Sequence, residues 1–186
     1  MNSRLGREFF LRSATTVAPD LLGKVLVKQT AFGFLKWRIV ETEAYCGIKD
    51  KAAHSYGGRR TPRTEIMYHQ GGHLYIYFIY GMYYMLNIVA NIEGVPEAIL
   101  IRALQPLSKD AAVNTSGPGK LCRALGIDKS LYGLDLCTSK ELFLLDDGYR
   151  PEKIVATKRV NIDYAEEYKE KPWRFYIFEN PYVSRK

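Results

Sequence analysis

Cysteine and histidine are scarce in this chain, three of each in 186 residues, and neither falls into a metal-binding pattern. Cys46, Cys122 and Cys137 are odd in number and widely spaced, matching neither a zinc ligand set nor a disulfide framework, as suits a reducing compartment. His69 and His73 stand four apart as in helical zinc sites, but Gly71 and Gly72 between them make the required helix implausible. No run approaches the roughly 18 uninterrupted apolar residues that cross a bilayer, and the opening MNSRLGREFF has no signal-peptide apolar core. These absences predict a soluble, cytoplasmic protein without a metal or a membrane partner. Internal repeats, low-complexity tracts and linkers are also missing, so residues 1–186 read as a single domain, a length that supports one well-buried core.

Acidic residues are outnumbered, 20 Asp and Glu against 27 Lys and Arg, for a formal charge of +7. Each cation set against a phosphate releases a condensed counterion, so the excess biases the chain toward polyanions. An even spread would do no more than aid solubility; the distribution has to decide. Periodicity disappears between Gly47 and Gly72, and the resulting long loop carries Lys49, Lys51, Arg59, Arg60 and Arg63.

The remaining segments are periodic. Ala14 to Leu22 with Gly23 behind it predicts a short helix, and Lys24 to Lys28 a strand. Phe34 to Tyr45 predicts a long strand with Trp37, Ile39, Glu41, Glu43 and Tyr45 on one face. Leu74 to Ile79 and Tyr83 to Ala90 form an aromatic hairpin about Tyr80-Gly81-Met82, followed by a strand over Ala98 to Leu104. Lys120 to Leu125 is helical with Gly126 ending it, and further strands fall at Glu141 to Leu145, Ile154 to Ala156 and Arg174 to Phe178. Strands outnumber helices and are joined mainly by hairpins, which predicts an α+β fold around a curved antiparallel sheet with a protruding β-hairpin.

Few residues stand out chemically. Glu43 sits in an apolar strand, where burial would raise its pKa toward a general base, although a half-exposed acid on an edge strand is the plainer reading and Glu41 competes. His54 alone is an ordinary loop histidine. Tyr75, Tyr77, Tyr80, Tyr83 and Tyr84 at period two read first as cross-strand packing. Tyr80 and Met82 differ, because a flat or apolar side chain at an exposed hairpin tip beside a basic loop supplies a wedge for opening a duplex.

Longer motifs carry a family likeness. RIVETEAYCGIKDKAAHSYGGRRTPR (Arg38 to Arg63), LYIYFIYGMYYMLNI (Leu74 to Ile88), AILIRALQPL (Ala98 to Leu107), GPGKLCRALGI (Gly117 to Ile127) and KPWRFYI (Lys171 to Ile177) together resemble the alkyladenine (3-methyladenine) DNA glycosylase family that includes the human enzyme. The resemblance implies one glycosylase domain, probing duplex DNA for damaged purines as a monomer with no cofactor. It implies Glu43, the second acid of E-T-E-A-Y, as activator of the hydrolytic water, with Arg102 nearby. Tyr45, His54 and Tyr77 would then enclose the flipped base, Asn87 would crowd the exocyclic amino group of guanine, and Tyr80, supported by Met82, would fill the vacated stack. Stacked rings attract a cationic alkylated purine by roughly 0.5–2 kcal/mol per contact. Arg59, Arg60 and Arg63 are expected on phosphates, and the backbone of Val160 on the water. Two positions depart from the family pattern: Asn161 stands where glycine is usual, and Thr64 where asparagine follows T-P-R.

Overall fold

The computed structural model describes residues 3–111 and 113–185. Its strands are β1 (Ser3–Arg4), β2 (Val25–Thr30), β3 (Gly33–Tyr45), β4 (Leu74–Ile79), β5 (Tyr83–Ala90), β6 (Glu97–Pro106), β7 (Leu142–Asp146), β8 (Ile154–Thr157) and β9 (Arg174–Ile177). The helices are α1 (Arg7–Phe10), α2 (Ala14–Asp20) and α3 (Pro118–Leu125). Every strand pair is antiparallel, in the order β1-β7-β2-β3-β6-β5-β4. The fold is α+β, with an open sheet. None of its described helices is long and apolar enough to cross a membrane.

β3 is the axis of the sheet. β6 runs along one of its edges, while β2 occupies the first part of the other edge, over residues 33–38, and β9 the later part, over residues 41–43. Glu41 and Glu43 therefore lie on a strand paired on both sides, not at an edge. The expected strict alternation fails here: the β3–β6 register slips between Ile39 and Thr42, and the adjacent Ile39 and Val40 both join the main core. Irregular pairing of this kind re-aims side chains, and it tends to occur next to active sites.

Local chemistry explains most boundaries. α3 opens with Pro118 in its first turn and stops at Gly126, whose φ of 60° is left-handed and whose N–H bonds back to Arg123 and Cys122. Leu121, Cys122 and Leu125 bury its inner side. At Gly119 any Cβ would lie 2.7 Å from the Tyr83 ring, so only glycine lets α3 abut the hairpin. The β4–β5 turn has two consecutive positive φ values, 55° at Tyr80 and 66° at Gly81, with Met82 N–H donating to Ile79 C=O at 3.2 Å.

Sequence patterning missed β1 and α1, which are too short to show a period, and it ran α2 two residues too far. β2 and β6 extend beyond their expected limits because neighbouring strands supply partners for the extra residues. The basic loop is not featureless: one-turn helices occupy Gly47–Lys49, Tyr56–Gly58 and Glu65–Tyr68.

Candidate active site

β3, β4, β5, β6, the basic loop and the segment after β8 enclose a cavity of about 270 Å³. Its wall includes Tyr45, His54, Tyr77, Tyr80, Asn87, Arg102 and Val160, so seven of the residues singled out from sequence converge although they span more than 110 positions. Cross-strand register explains part of this: Asn87 pairs with Tyr75 on β4 and Leu100 on β6, which puts all three elements behind one opening.

Glu43 is wholly buried just behind that wall, held by three groups of which each belongs to a wall residue. Its Oε1 accepts from Val160 N–H at 2.7 Å and lies 3.4 Å from Arg102 Nη1, while its Oε2 accepts from the Tyr45 hydroxyl at 2.9 Å. Oε2 has no second hydrogen-bond donor among the described residues. Burial, reinforced by the Glu43 charge, holds the Tyr45 phenol protonated far above its ordinary range, so it remains a donor. The backbone of Val160 was expected on the water through a carbonyl of its segment; its N–H is engaged by Glu43.

Glu41 is equally buried but differently employed. Its Oε1 accepts from Arg102 Nε at 3.0 Å and Arg174 Nη1 at 2.9 Å, and its Oε2 from Ser184 N–H at 2.7 Å. Of its three donors only Arg102 belongs to the cavity wall, against all three of the groups on Glu43. Burial works against the Arg102 charge, but Glu43 and Glu41 together outweigh that penalty and raise its pKa.

His54 meets the Tyr77 ring edge-on at 4.6 Å and shares a 2.7 Å hydrogen bond with the Tyr75 hydroxyl. Burial first, then the Arg63 and Arg59 charges, push its pKa from 6.5 down to about 4. Because the unfolded chain binds that proton and the folded pocket refuses it, stability falls as pH drops from 6.5 toward about 4 and is unaffected by this group at higher pH. A histidine-detected NMR titration should therefore place the His54 midpoint near 4, and a midpoint near 6.5 would mean that the pocket does not bury this ring.

Asn87 Nδ2 donates to the carbonyls of Tyr75 and Met85 at 3.1 and 3.3 Å, fixing the amide plane and freeing its oxygen for a ligand. Tyr80 and Met82 are exposed at the hairpin tip, at 75% and 58%. A tyrosine at φ 55° is strained, by about 1–2 kcal/mol, and such strain clusters at functional sites.

The three loop arginines diverge. Arg60 forms a two-point pair with Glu65 and lies over the Tyr68 ring at 4.7 Å. Arg63 covers the Tyr77 ring at 5.0 Å, with Nη2 3.4 Å from His54 Nε2, which puts this exposed side chain beside the pocket. Arg59 is exposed. Asn161 adopts φ 58°, a conformation asparagine tolerates, so glycine's geometry is preserved there. Thr64 accepts from Thr61 N–H at 2.9 Å and donates to Arg59 C=O at 3.3 Å, bracing the loop from within.

Sequence reasoning overlooked Arg159 and Asp50. Both side chains are fully buried and joined at 2.6 and 2.8 Å, and Arg159 also packs against the rings of Tyr45 and Trp173 at 4.8 and 5.0 Å. Asp50 further accepts from the N–H groups of Cys46 and Ala52, anchoring the start of the His54 loop. A buried charge was the available signal, but an aspartate in a basic loop carries no mark of burial. Tyr164 and Arg185, also on the wall, had no signal at all.

Enzymes that cut a base from duplex DNA must first draw it out of the stack, which calls for a base-sized pocket with a wedge at its rim. The chain is a DNA glycosylase, on geometry and kinship together. It belongs to the methylpurine-DNA glycosylase family, whose model matches residues 8–181. Three similar proteins each bear the name "Putative 3-methyladenine DNA glycosylase". The one from Desulfitobacterium hafniense (strain Y51) is 52% identical over 202 residues, covering 98% of this chain and 99% of that protein. The one from Natranaerobius thermophilus is 49% identical, with 97% and 98% coverage, and the one from Clostridium novyi (strain NT) is 49% identical, with 98% and 99%.

Proposed function

We propose that this glycosylase, acting as a monomeric single-domain enzyme in the cytoplasm, flips alkylated or deaminated purines out of duplex DNA and hydrolyses their N-glycosidic bond with a water activated by Glu43. The observation that carries the reading is a carboxylate buried directly behind an aromatic cavity, its two oxygens held by groups of that cavity's wall. The names of the relatives favour 3-methyladenine as one substrate.

In this reading the purine stacks between Tyr45 and Tyr77 with His54 at its edge, while Asn87 opposes the amino group of guanine. Cleavage sends the glycosidic electron pair to the departing base and leaves oxocarbenium character on the sugar. Water attacks that carbon as Glu43 takes its proton, and Arg102 and Val160 N–H hold the carboxylate in place. Methylation at N3 or N7 makes the base a good leaving group without acid catalysis; hypoxanthine and ethenoadenine need more help. No amine is placed as a nucleophile, so the product is an abasic site. Arg59, Arg60 and Arg63 contribute phosphate attraction, Arg63 from its position at the pocket edge.

Duplexes bearing a single lesion test this directly. Strand breakage that appears only after alkali, and persists in EDTA, is the expected result; breakage without alkali or no breakage on any purine lesion would refute the proposal.

Tyr80 in this scheme opens the duplex and does no chemistry, with Met82 as its support. Extrusion costs a few kcal/mol, which a wedge offsets by filling the vacancy, so Tyr80→Ala should slow single-turnover release of paired hypoxanthine by about tenfold. Opposite a gap, where less work is needed, the loss should shrink to about threefold or less. Equal losses on both substrates would make Tyr80 a structural support of the pocket.

A further inference from the structure

Three wall residues are able to carry positive charge: His54, Arg102 and Arg185. His54 is held neutral by its burial. Arg102 is compensated twice, by Glu41 at 3.0 Å and Glu43 at 3.4 Å. Arg185 is exposed at the cavity and has no carboxylate partner among the described residues, which leaves it the one uncompensated cation of that wall. Its backbone is tied down all the same. Arg174 Nη1 donates to the Arg185 carbonyl at 2.9 Å, and the preceding residue is clamped by Ser184 N–H on Glu41 at 2.7 Å and by Arg102 Nη2 near Ser184 Oγ at 3.4 Å.

We infer that Arg185 binds a phosphodiester flanking the flipped nucleotide, and that buried Glu41 exists to hold the Val183–Arg185 segment at the cavity for that purpose. The inference rests on the glycosylase reading and adds to it a ligand for an unassigned residue. A nucleotide swung into the cavity brings its base to the aromatic rings and its two phosphodiesters to the opening. Those are its only anionic groups. A cationic alkylated purine would be repelled by a guanidinium, so the base is not the ligand, whereas the planar fork of arginine matches two phosphate oxygens. Cations of the basic loop can meet any duplex, but Arg185 at the cavity meets a phosphodiester only after extrusion.

That difference supplies the test. Arg185→Ala removes no side-chain hydrogen bond or ion pair among the described residues, so the variant should unfold at the wild-type temperature. In single-turnover base release from a hypoxanthine duplex, its half-saturating concentration should rise about tenfold, the scale of one charge-assisted contact. Binding to undamaged duplex should be unchanged, and Arg185→Lys should fall between the two proteins. Replacing each flanking phosphodiester in turn by an uncharged methylphosphonate should penalise the wild type at one position and leave Arg185→Ala indifferent there. Wild-type behaviour of Arg185→Ala, equal methylphosphonate penalties in both proteins, or an equal loss on undamaged duplex would each overturn the assignment. Should the wild-type protein itself release no base, the failure belongs to the glycosylase reading, and this inference falls with it.

Discussion

Glu43→Gln is expected to lower single-turnover base release by about 10³-fold or more while leaving affinity for a lesion duplex within about threefold of wild type. The separation follows from how the carboxylate is held. Val160 N–H can only donate, so the amide must turn its oxygen toward Val160 and Arg102 and its nitrogen toward Tyr45. The Tyr45 hydroxyl can then reverse roles and accept from that nitrogen. Size, packing and the neighbouring rings survive; the ability to take a proton from water does not. Gel-shift titration on lesion duplex and rapid-quench base release on the same preparation measure the two quantities. Near wild-type rates for Glu43→Gln would remove Glu43 as the base, and a parallel collapse of binding would mean that its charge organises the pocket rather than the chemistry.

Asp50→Ala should be the most damaging substitution for the fold itself, at about 3–5 kcal/mol, because it strands the wholly buried Arg159 guanidinium. Asp50 and its hydrogen bonds outweigh the burial penalty on Arg159 and hold it charged, and Arg159 Nε already lacks a hydrogen-bond partner among the described residues. Loss of the carboxylate would leave an unpaired charge between the rings of Tyr45 and Trp173. For a chain of this size the melting temperature should drop by roughly 6–20 °C. Arg159→Met combined with Asp50→Leu, which removes both charges, should recover part of it, since the stranded charge is gone while the Cys46 and Ala52 N–H groups still lack their acceptor. A drop for Asp50→Ala smaller than about 2 °C would show that water reaches the site and solvates Arg159.

The gap between pattern and structure is clearest in β3. Its existence and length were legible in FLKWRIVETEAY, because alternation and β-branched content are local properties. Which way its acids would be used was not. Glu41 and Glu43 look alike by period, and only the motif likeness singled out Glu43; in the fold Glu41 is held by Arg102, Arg174 and Ser184, whereas every group on Glu43 belongs to a residue of the cavity wall. Those partners lie 61, 133 and 143 residues from Glu41, beyond the reach of any pattern along the chain. The loop arginines make the same point: of three equal charges in the sequence, all exposed, one becomes a partner of Glu65 and another a cover for Tyr77.

By itself the sequence determined the α+β class, most strands, the hairpin with its tyrosine tip, the helix stop at Gly126 and, through motif likeness, seven residues of the pocket wall. Each of these depends on backbone preferences and side-chain periods set by near neighbours. The tertiary structure alone decided that every group on Glu43 belongs to the cavity wall, that Val160 offers its N–H to that glutamate, that His54 is kept neutral, and that Asp50 and Arg159 lock the His54 loop against Tyr45. Burial and charge pairing are properties of a residue's surroundings in space, and those surroundings are assembled from strands and loops far apart in the chain.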